Sequence, residues 1–365
     1  MKVALVYDRV NKWGGAERVL LALHKMFPDA PLYTSVYNKE TAEWANVFEI
    51  RTSPLQSLPF ARKYNELLAL LMPIAFESFS FDEFDLVISV TSEAAKGIIT
   101  KPGTMHICYC LTPTRYLWSG YDDYFQNGLV RLFSKPAVSY LKRWDLIASR
   151  RPDYFIAISS EVKGRIKKYY GLDSEIIFPP LMIEKSNSIN KKGNYFFLFV
   201  SRFSRFSYYK KADLVIDAFN KTKLPLKVVG SGPMLGKYEY VSNSNIEFLK
   251  ELTDEELRRY YENCKALIFP GSEDFGLVMA EAQSFGKPVI AFKSGGAIDI
   301  IKEGITGEFF EEQTSESLIK ALREFDFKRY NKADIMRHSE RFSFEIFTNF
   351  SSTSSPVTLK SGRKL

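Results

Sequence analysis

The stretch that most limits the fold of this chain runs from Ala266 to Ile300. Ala266 to Phe269 is an apolar strand-like run, and Gly271 to Ile300 then reads as loop, short helix, strand and glycine turn. Leu277, Met279, Ala280, Ala282 and Gln283 are good helix formers. Gly286 sits where a helix end needs a left-handed residue, and Pro288 forbids continuation, so the helix is expected to begin near Gly276. The same strand, glycine and helix theme recurs in both halves of the chain. Lys2–Tyr7, Phe84–Val90, Met105–Cys110 and Asp153–Ser160 read as strands in the first half, and Tyr195–Val200, Leu226–Gly230 and Asn245–Leu249 in the second. Tyr195–Val200 is apolar on both faces, as a parallel sheet requires, so the expected class is α/β.

The helix expected near Gly276 has a chemical consequence. The first turn of a helix has unpaired N–H groups that bind anions, phosphate above all. Glu273 lies in the loop before that turn and Glu281, eight positions later, on the helix. Carboxylates bracketing a phosphate site suit hydroxyl groups on either side of it, and a nucleotide sugar has hydroxyls in both places. The alternative for these glutamates is a solvated helix face. Two cations extend the pattern: Arg202 follows the strand ending at Val200, and Lys210, ahead of Lys211, stands at a helix start. Arginine as a fork and lysine as a compact charge can hold a diphosphate; taken singly, each is a surface cation. Gly14-Gly15 after the first strand and Gly230-Ser231-Gly232 after a later one are turns where phosphate can approach backbone amides. Neither has the G-x-G-x-x-G spacing, which counts against a dehydrogenase.

With 365 residues, 45% of them hydrophobic, two domains are expected. Cys108, Cys110 and Cys264 make no disulfide framework and no metal-ligand spacing, and read as core thiols of a reduced, cytoplasmic compartment. No signal-peptide pattern is read at the start, and the longest apolar run, Leu67–Phe76, contains Pro73 and is too short to cross a bilayer. The net charge is +7, and residues 131–168 carry ten Lys/Arg against three Asp/Glu, a surplus equal to the whole. Interleaved with Leu132, Phe133, Tyr140, Trp144 and Ile147, this segment either lies against an anionic membrane or the acidic groups of a lipid-linked acceptor, or is a solvated helix face. Nucleic acid is disfavoured because no RNA- or DNA-binding module accompanies the charge.

The string E-D-F-G-L…E-A…G-K-P-V-I-A…G-G closely resembles the donor-binding signature of the retaining glycosyltransferases of family 4. Further matches are G-G-A-E-R at 14–18, Y-C-L-T-P-T-R-Y at 109–116, S-R-F at 201–203, Y-K-K-x-D-L at 209–214, G-S-G-P at 230–233 and T-G-x-x-F at 306–310. The resemblance spans roughly residues 1–345 and implies the GT-B fold, two Rossmann-like doubly wound domains facing across a cleft. The expected boundaries are 1–182 for an acceptor-binding domain and 183–340 for a nucleotide-sugar-binding domain, with a linker at Glu184–Asn194. Residues 341–350 are expected as a helix crossing back to the first domain and 351–365 as a disordered, Ser/Thr-rich tail foreign to the rest.

By that resemblance Arg202, Lys210 and Glu273 are catalytic, Glu273 holding hexose hydroxyls. Gly14, Gly15, Gly232, Asp274, Phe275, Gly276, Leu277, Val278 and Glu281 bind the donor, Glu281 through the ribose. Leu111, Thr112, Arg115 and Tyr116 border the acceptor or the transferred sugar. Leu111 replaces a family histidine that borders that sugar, and Ile158 an asparagine. No Asp-x-Asp pair occurs, and the expected reaction uses no metal. The first-choice donor is GDP-mannose, as in bacterial mannosyltransferases of polysaccharide and O-antigen precursors, with UDP-sugars next. The expected acceptor is a glycan or a polyprenyl-diphosphate-linked saccharide at the cytoplasmic face of a membrane. An epimerase and a non-catalytic nucleotide-sugar-binding protein share the architecture.

Overall fold

The computed structural model describes residues 1–58, 65–182, 196–203, 210–250 and 252–348. They form two compact units, Met1–Pro180, to which Phe347 also belongs, and Leu181–Ile346. The second unit begins at Leu181 because that residue bridges to Ser343 and donates its N–H to the Phe342 carbonyl at 2.7 Å. The linker expected at Glu184–Asn194 and the tail 351–365 lie outside the described residues.

The first unit is a parallel sheet of β1 (Val3–Tyr7), β2 (Leu32–Thr34), β3 (Ile50–Thr52), β4 (Leu86–Thr91), β5 (Met105–Cys110), β6 (Tyr154–Ala157) and β7 (Glu175–Ile176). Their order across the sheet is β3-β2-β1-β4-β5-β6-β7. β1 and β4 are buried along their whole length, which is why they read as unbroken apolar runs. β2 and β3 have three residues each, too short for a periodic pattern, and the sequence reading passed over both.

The second unit has β8 (Phe196–Val200), β9 (Leu226–Val229), β10 (Ile246–Leu249), β11 (Cys264–Phe269), β12 (Val289–Phe292) and β13 (Gly307–Phe310). Their order is β10-β9-β8-β11-β12-β13, again parallel throughout. The T-G-x-x-F match supplies the edge strand β13, aligned with Val289–Phe292. Phe197, Phe199, Val215, Phe219, Ile268 and Leu318 are among the side chains that pack between sheet and helices.

In each unit the chain builds one side of the sheet and then returns to the other side of its first strand. The loops leaving β1 and β4, and those leaving β8 and β11, therefore diverge and leave a crevice at the strand carboxyl ends, where ligands of open α/β sheets bind. The closing helix, Phe344–Thr348, brings Phe347 edge-on to Tyr109, with ring centroids 6.0 Å apart.

Candidate active site

The crevice of the second unit is made by the loops after β8 and β11, and these carry Arg202 and Glu273. Arg202 is exposed just past β8. Its neighbour Phe203 is pinned from both sides, donating its N–H to Ser231 and accepting from Met234, each at 2.9 Å. That lacing explains Gly232, whose φ is +144° and whose place would put any Cβ 2.5 Å from the Phe203 carbonyl oxygen. The G-S-G turn thus fixes the backbone that presents Arg202.

Lys210 reaches across the crevice to Glu273, Nζ to Oε1 at 2.8 Å, with the two side chains 15% and 22% exposed. Lys211 caps the helix Ala212–Thr222 in a left-handed conformation, φ 52°. Glu273 is held by its backbone, its carbonyl accepting the Gly296 N–H at 2.9 Å, and Ser272 and Ser294 are joined by their hydroxyls at 2.8 Å. The glycine pair after β12 thereby fixes the loop after β11.

Phe275 is buried and edge-on to Phe342, centroids 5.6 Å apart. Asp274 beside it is half-buried. The helix Leu277–Ser284 starts where the residue pattern placed it. Its N-cap is Gly276 at φ 94°, with no capping side chain and no acidic residue in the first turn. A Cβ there would press on Met279 and lie 2.9 Å from the Phe269 ring. The positive end of this helix, at half-buried Leu277 and Val278, has no capping side chain and no acidic residue against it among the described residues of its first turn. Glu281 is on no solvated face: it is 3% exposed and accepts the Tyr261 hydroxyl at 2.8 Å.

The remaining expected residues stand in the first unit. Gly14 is the N-cap of the helix Gly15–Met26, with extended backbone. Leu111 follows β5 and donates its N–H to Thr91 at 2.8 Å. Thr112 is buried with Oγ1 accepting from Arg165 at 3.2 Å, and the Arg115 carbonyl accepts from Trp118 and Gly120. Tyr116 hydrogen-bonds Glu93.

That last contact opens a cluster which the sequence reading did not assign. The Asp8 carboxylate, past β1, accepts from the Thr91 hydroxyl and from the N–H groups of Ser92, Ala94 and Ala95 at 2.7–3.0 Å, tying the β4 loop to the β1 loop. Arg9 forks onto Glu93 across the same crevice at 2.7 and 3.0 Å, and Arg9 Nε is buried with no partner among the described residues. Burial pushes the Glu93 carboxyl above its ordinary range, against the pull of Arg9. The available signal was the charged residues Asp8, Arg9, Glu93 and Lys96 directly after two apolar strands.

Behind this cluster, Lys96 and Asp145 pair at 2.6 Å with both side chains 1% exposed. Burial alone would lower the Lys96 pKa, but Asp145 outweighs it and the net shift is upward. Cys108, Cys110 and Cys264 are buried free thiols, and among the described residues no three His, Cys, Asp or Glu side chains gather as metal ligands.

Comparison with known proteins agrees with this architecture. Residues 182–337 match the family model "Glycosyl transferases group 1". The chain is similar to the O-antigen chain mannosyltransferase C of Escherichia coli, 26% identical over 95% of each chain. It is 30% identical to a GDP-mannose-dependent alpha-mannosyltransferase of Corynebacterium glutamicum, over 36% of this chain and 30% of that one. Among solved structures it resembles Anabaena Alr3699/HepE in complex with UDP-glucose, with a TM-score of 0.69 at 18% identity, covering 97% of this chain and 100% of that one. The fold is GT-B.

Proposed function

We propose that this chain is a retaining glycosyltransferase that moves a hexose, mannose from GDP-mannose first, to a glycan or lipid-linked saccharide. The observation that supports the proposal is the Lys210–Glu273 pair, which joins the segment after β8 to the loop after β11, with Arg202 on the first of these and the uncapped start of the helix Leu277–Ser284 at the end of the second. A diphosphate is the ligand such a set fits: two cations and a helix N-terminus for its charge, and a carboxylate for the hydroxyls of the attached sugar. In this reading the acceptor oxygen bonds to the anomeric carbon as the bond from that carbon to the phosphate oxygen breaks. The departing diphosphate takes the acceptor's proton, so no protein base is required. The growing negative charge is met by Arg202, Lys210 and the Leu277–Val278 amides, and one such donor is worth about 3 kcal/mol. The reaction so drawn needs no metal.

The mannosyltransferase relatives favour GDP-mannose. A UDP-sugar is the second reading, favoured by the UDP-glucose held in the HepE structure. The first unit, with Leu111, Thr112, Arg115 and Tyr116 at its strand ends, takes the acceptor at the cytoplasmic face of a membrane. The test is a thermal-shift series of the full chain against GDP, UDP and ADP. A ligand at a hundred times its dissociation constant adds about 2.7 kcal/mol of stability. GDP is expected to raise the melting temperature most; no rise with any of the three overturns the proposal.

A further inference from the structure

The helix Gly128–Ala148 has two apolar faces. Val138, Leu141, Asp145 and Ala148 point inward and are buried, with Val138 and Leu141 packed on Leu117. On the opposite side Leu129, Phe133, Pro136, Tyr140 and Ile147 fall within an arc of about 60° at 3.6 residues per turn. Leu129, Phe133, Tyr140 and Ile147 are 68%, 79%, 48% and 61% exposed, and Leu132 beside them 56%. Scattered exposed apolar residues need no explanation, but this is a continuous stripe about 30 Å long. Leu70 and Ile74 are exposed on the adjoining segment, whose Ala69 packs on the same Leu117 cluster.

The outward charges that the helix itself carries have one sign. Arg131, Lys135, Lys142 and Arg143 lie on this helix, Arg131 paired with the exposed Asp122 at 2.9 Å, and the helix's one carboxylate, Asp145, is turned inward onto Lys96. Elsewhere in the basic segment three cations are matched within the unit, Arg151 by Glu77, Arg165 by Glu161 and Lys167 by Asp173, at 2.6–2.9 Å. Part of the surplus read over 131–168 therefore stands on this helix, with Lys135 and Arg143 exposed. A second copy of the chain on the stripe would set like charges against each other, which costs specificity and affinity. A sheet of phospholipid with anionic headgroups meets both features, the apolar stripe entering the acyl boundary and the cations the headgroups.

We propose that the outer face of the helix Gly128–Ala148 docks the protein on an anionic lipid surface. As a partner the membrane rests on the reading of a lipid-linked acceptor, but its test is separable. The full chain is sedimented with phosphatidylglycerol-containing or pure phosphatidylcholine vesicles at low and high salt, alongside L132S/F133S and K135E/R143E variants. The expected result is binding to the anionic vesicles that weakens with salt, falls about tenfold or more in L132S/F133S, and loses its anionic preference in K135E/R143E. All the altered side chains are exposed, so melting temperatures and GDP or UDP binding stay as in the parent. Absence of binding to anionic vesicles at low salt overturns the proposal, as does equal binding by both variants. So does a concentration-dependent dimer, abolished in L132S/F133S, that has no vesicle affinity. Failure of nucleotide binding in every protein, with vesicle binding intact, instead overturns the transferase reading alone.

Discussion

Two lysine–carboxylate pairs in this molecule have nearly the same geometry and opposite surroundings. Lys96–Asp145 in the first unit is 2.6 Å long with both side chains 1% exposed, and Lys210–Glu273 in the second is 2.8 Å long at 15% and 22% exposed. Asp145 also accepts the hydroxyls of Thr114 and Tyr170 and the Trp118 indole N–H at 2.8–3.0 Å, so its oxygens are saturated by the fold. Glu273 and Lys210 instead meet at the mouth of a crevice beside an uncapped helix start. Buried charge that is fully paired holds a structure, whereas partly exposed charge at a strand end is placed to exchange partners with a ligand.

The largest effect that would break this comparison is on stability. Asp145→Ala leaves Lys96 charged and unpaired in the interior, and removal of one partner from such a pair costs about 3–5 kcal/mol. Urea unfolding followed by Trp118 and Trp144 fluorescence measures it. A loss under about 1 kcal/mol would mean that the pair is not sealed from water and that the contrast with Lys210–Glu273 is false.

Lys210→Ala is the opposite case. The expected loss in transfer is about a hundredfold to a thousandfold in kcat, while the urea midpoint barely moves because the pair is partly solvated. Steady-state kinetics beside an unfolding curve separates the two. A variant that unfolds readily yet turns over normally per folded molecule would reassign Lys210 as structural.

The sequence made the second site more legible than the first for a physical reason. Glu273, Gly276, Leu277 and Glu281 are held together by one loop and one helix, so their spacing encodes their geometry. Gly286, at φ +70°, likewise ended its helix as its type demanded. In the first unit the groups that meet are remote in sequence: Asp8 is bonded to residues 83–87 positions away, and Lys96 lies 49 positions from Asp145. No local pattern records such pairings. Long apolar strands such as Met105–Cys110 and Phe196–Val200 announced themselves, while β2 and β3 were fixed by their sheet neighbours and left no periodic trace.

The smallest effect sharpens what burial does in the first unit. His106 is 0% exposed, its Nε2 2.9 Å from the Ser89 hydroxyl and its Nδ1 buried without a partner among the described residues. Burial, helped by the charge of Arg151, pushes its pKa down to about 3. The unfolded chain therefore binds a proton at this ring that the folded chain refuses between the ordinary histidine value of about 6.5 and about 3. Its contribution to stability is present above pH 6.5 and is lost as pH falls through that window, at about 1.4 kcal/mol per pH unit. In His106→Gln, a side chain that stays neutral, the stability curve is expected to be flatter over this range by that slope. Carboxylates held low by their partners, such as Glu77 beside Trp144 and Arg151, act in both proteins and cancel in the difference. Parallel curves would show that water reaches the ring, and would move this part of the first unit from the sealed class of Lys96–Asp145 toward the open class of Lys210–Glu273.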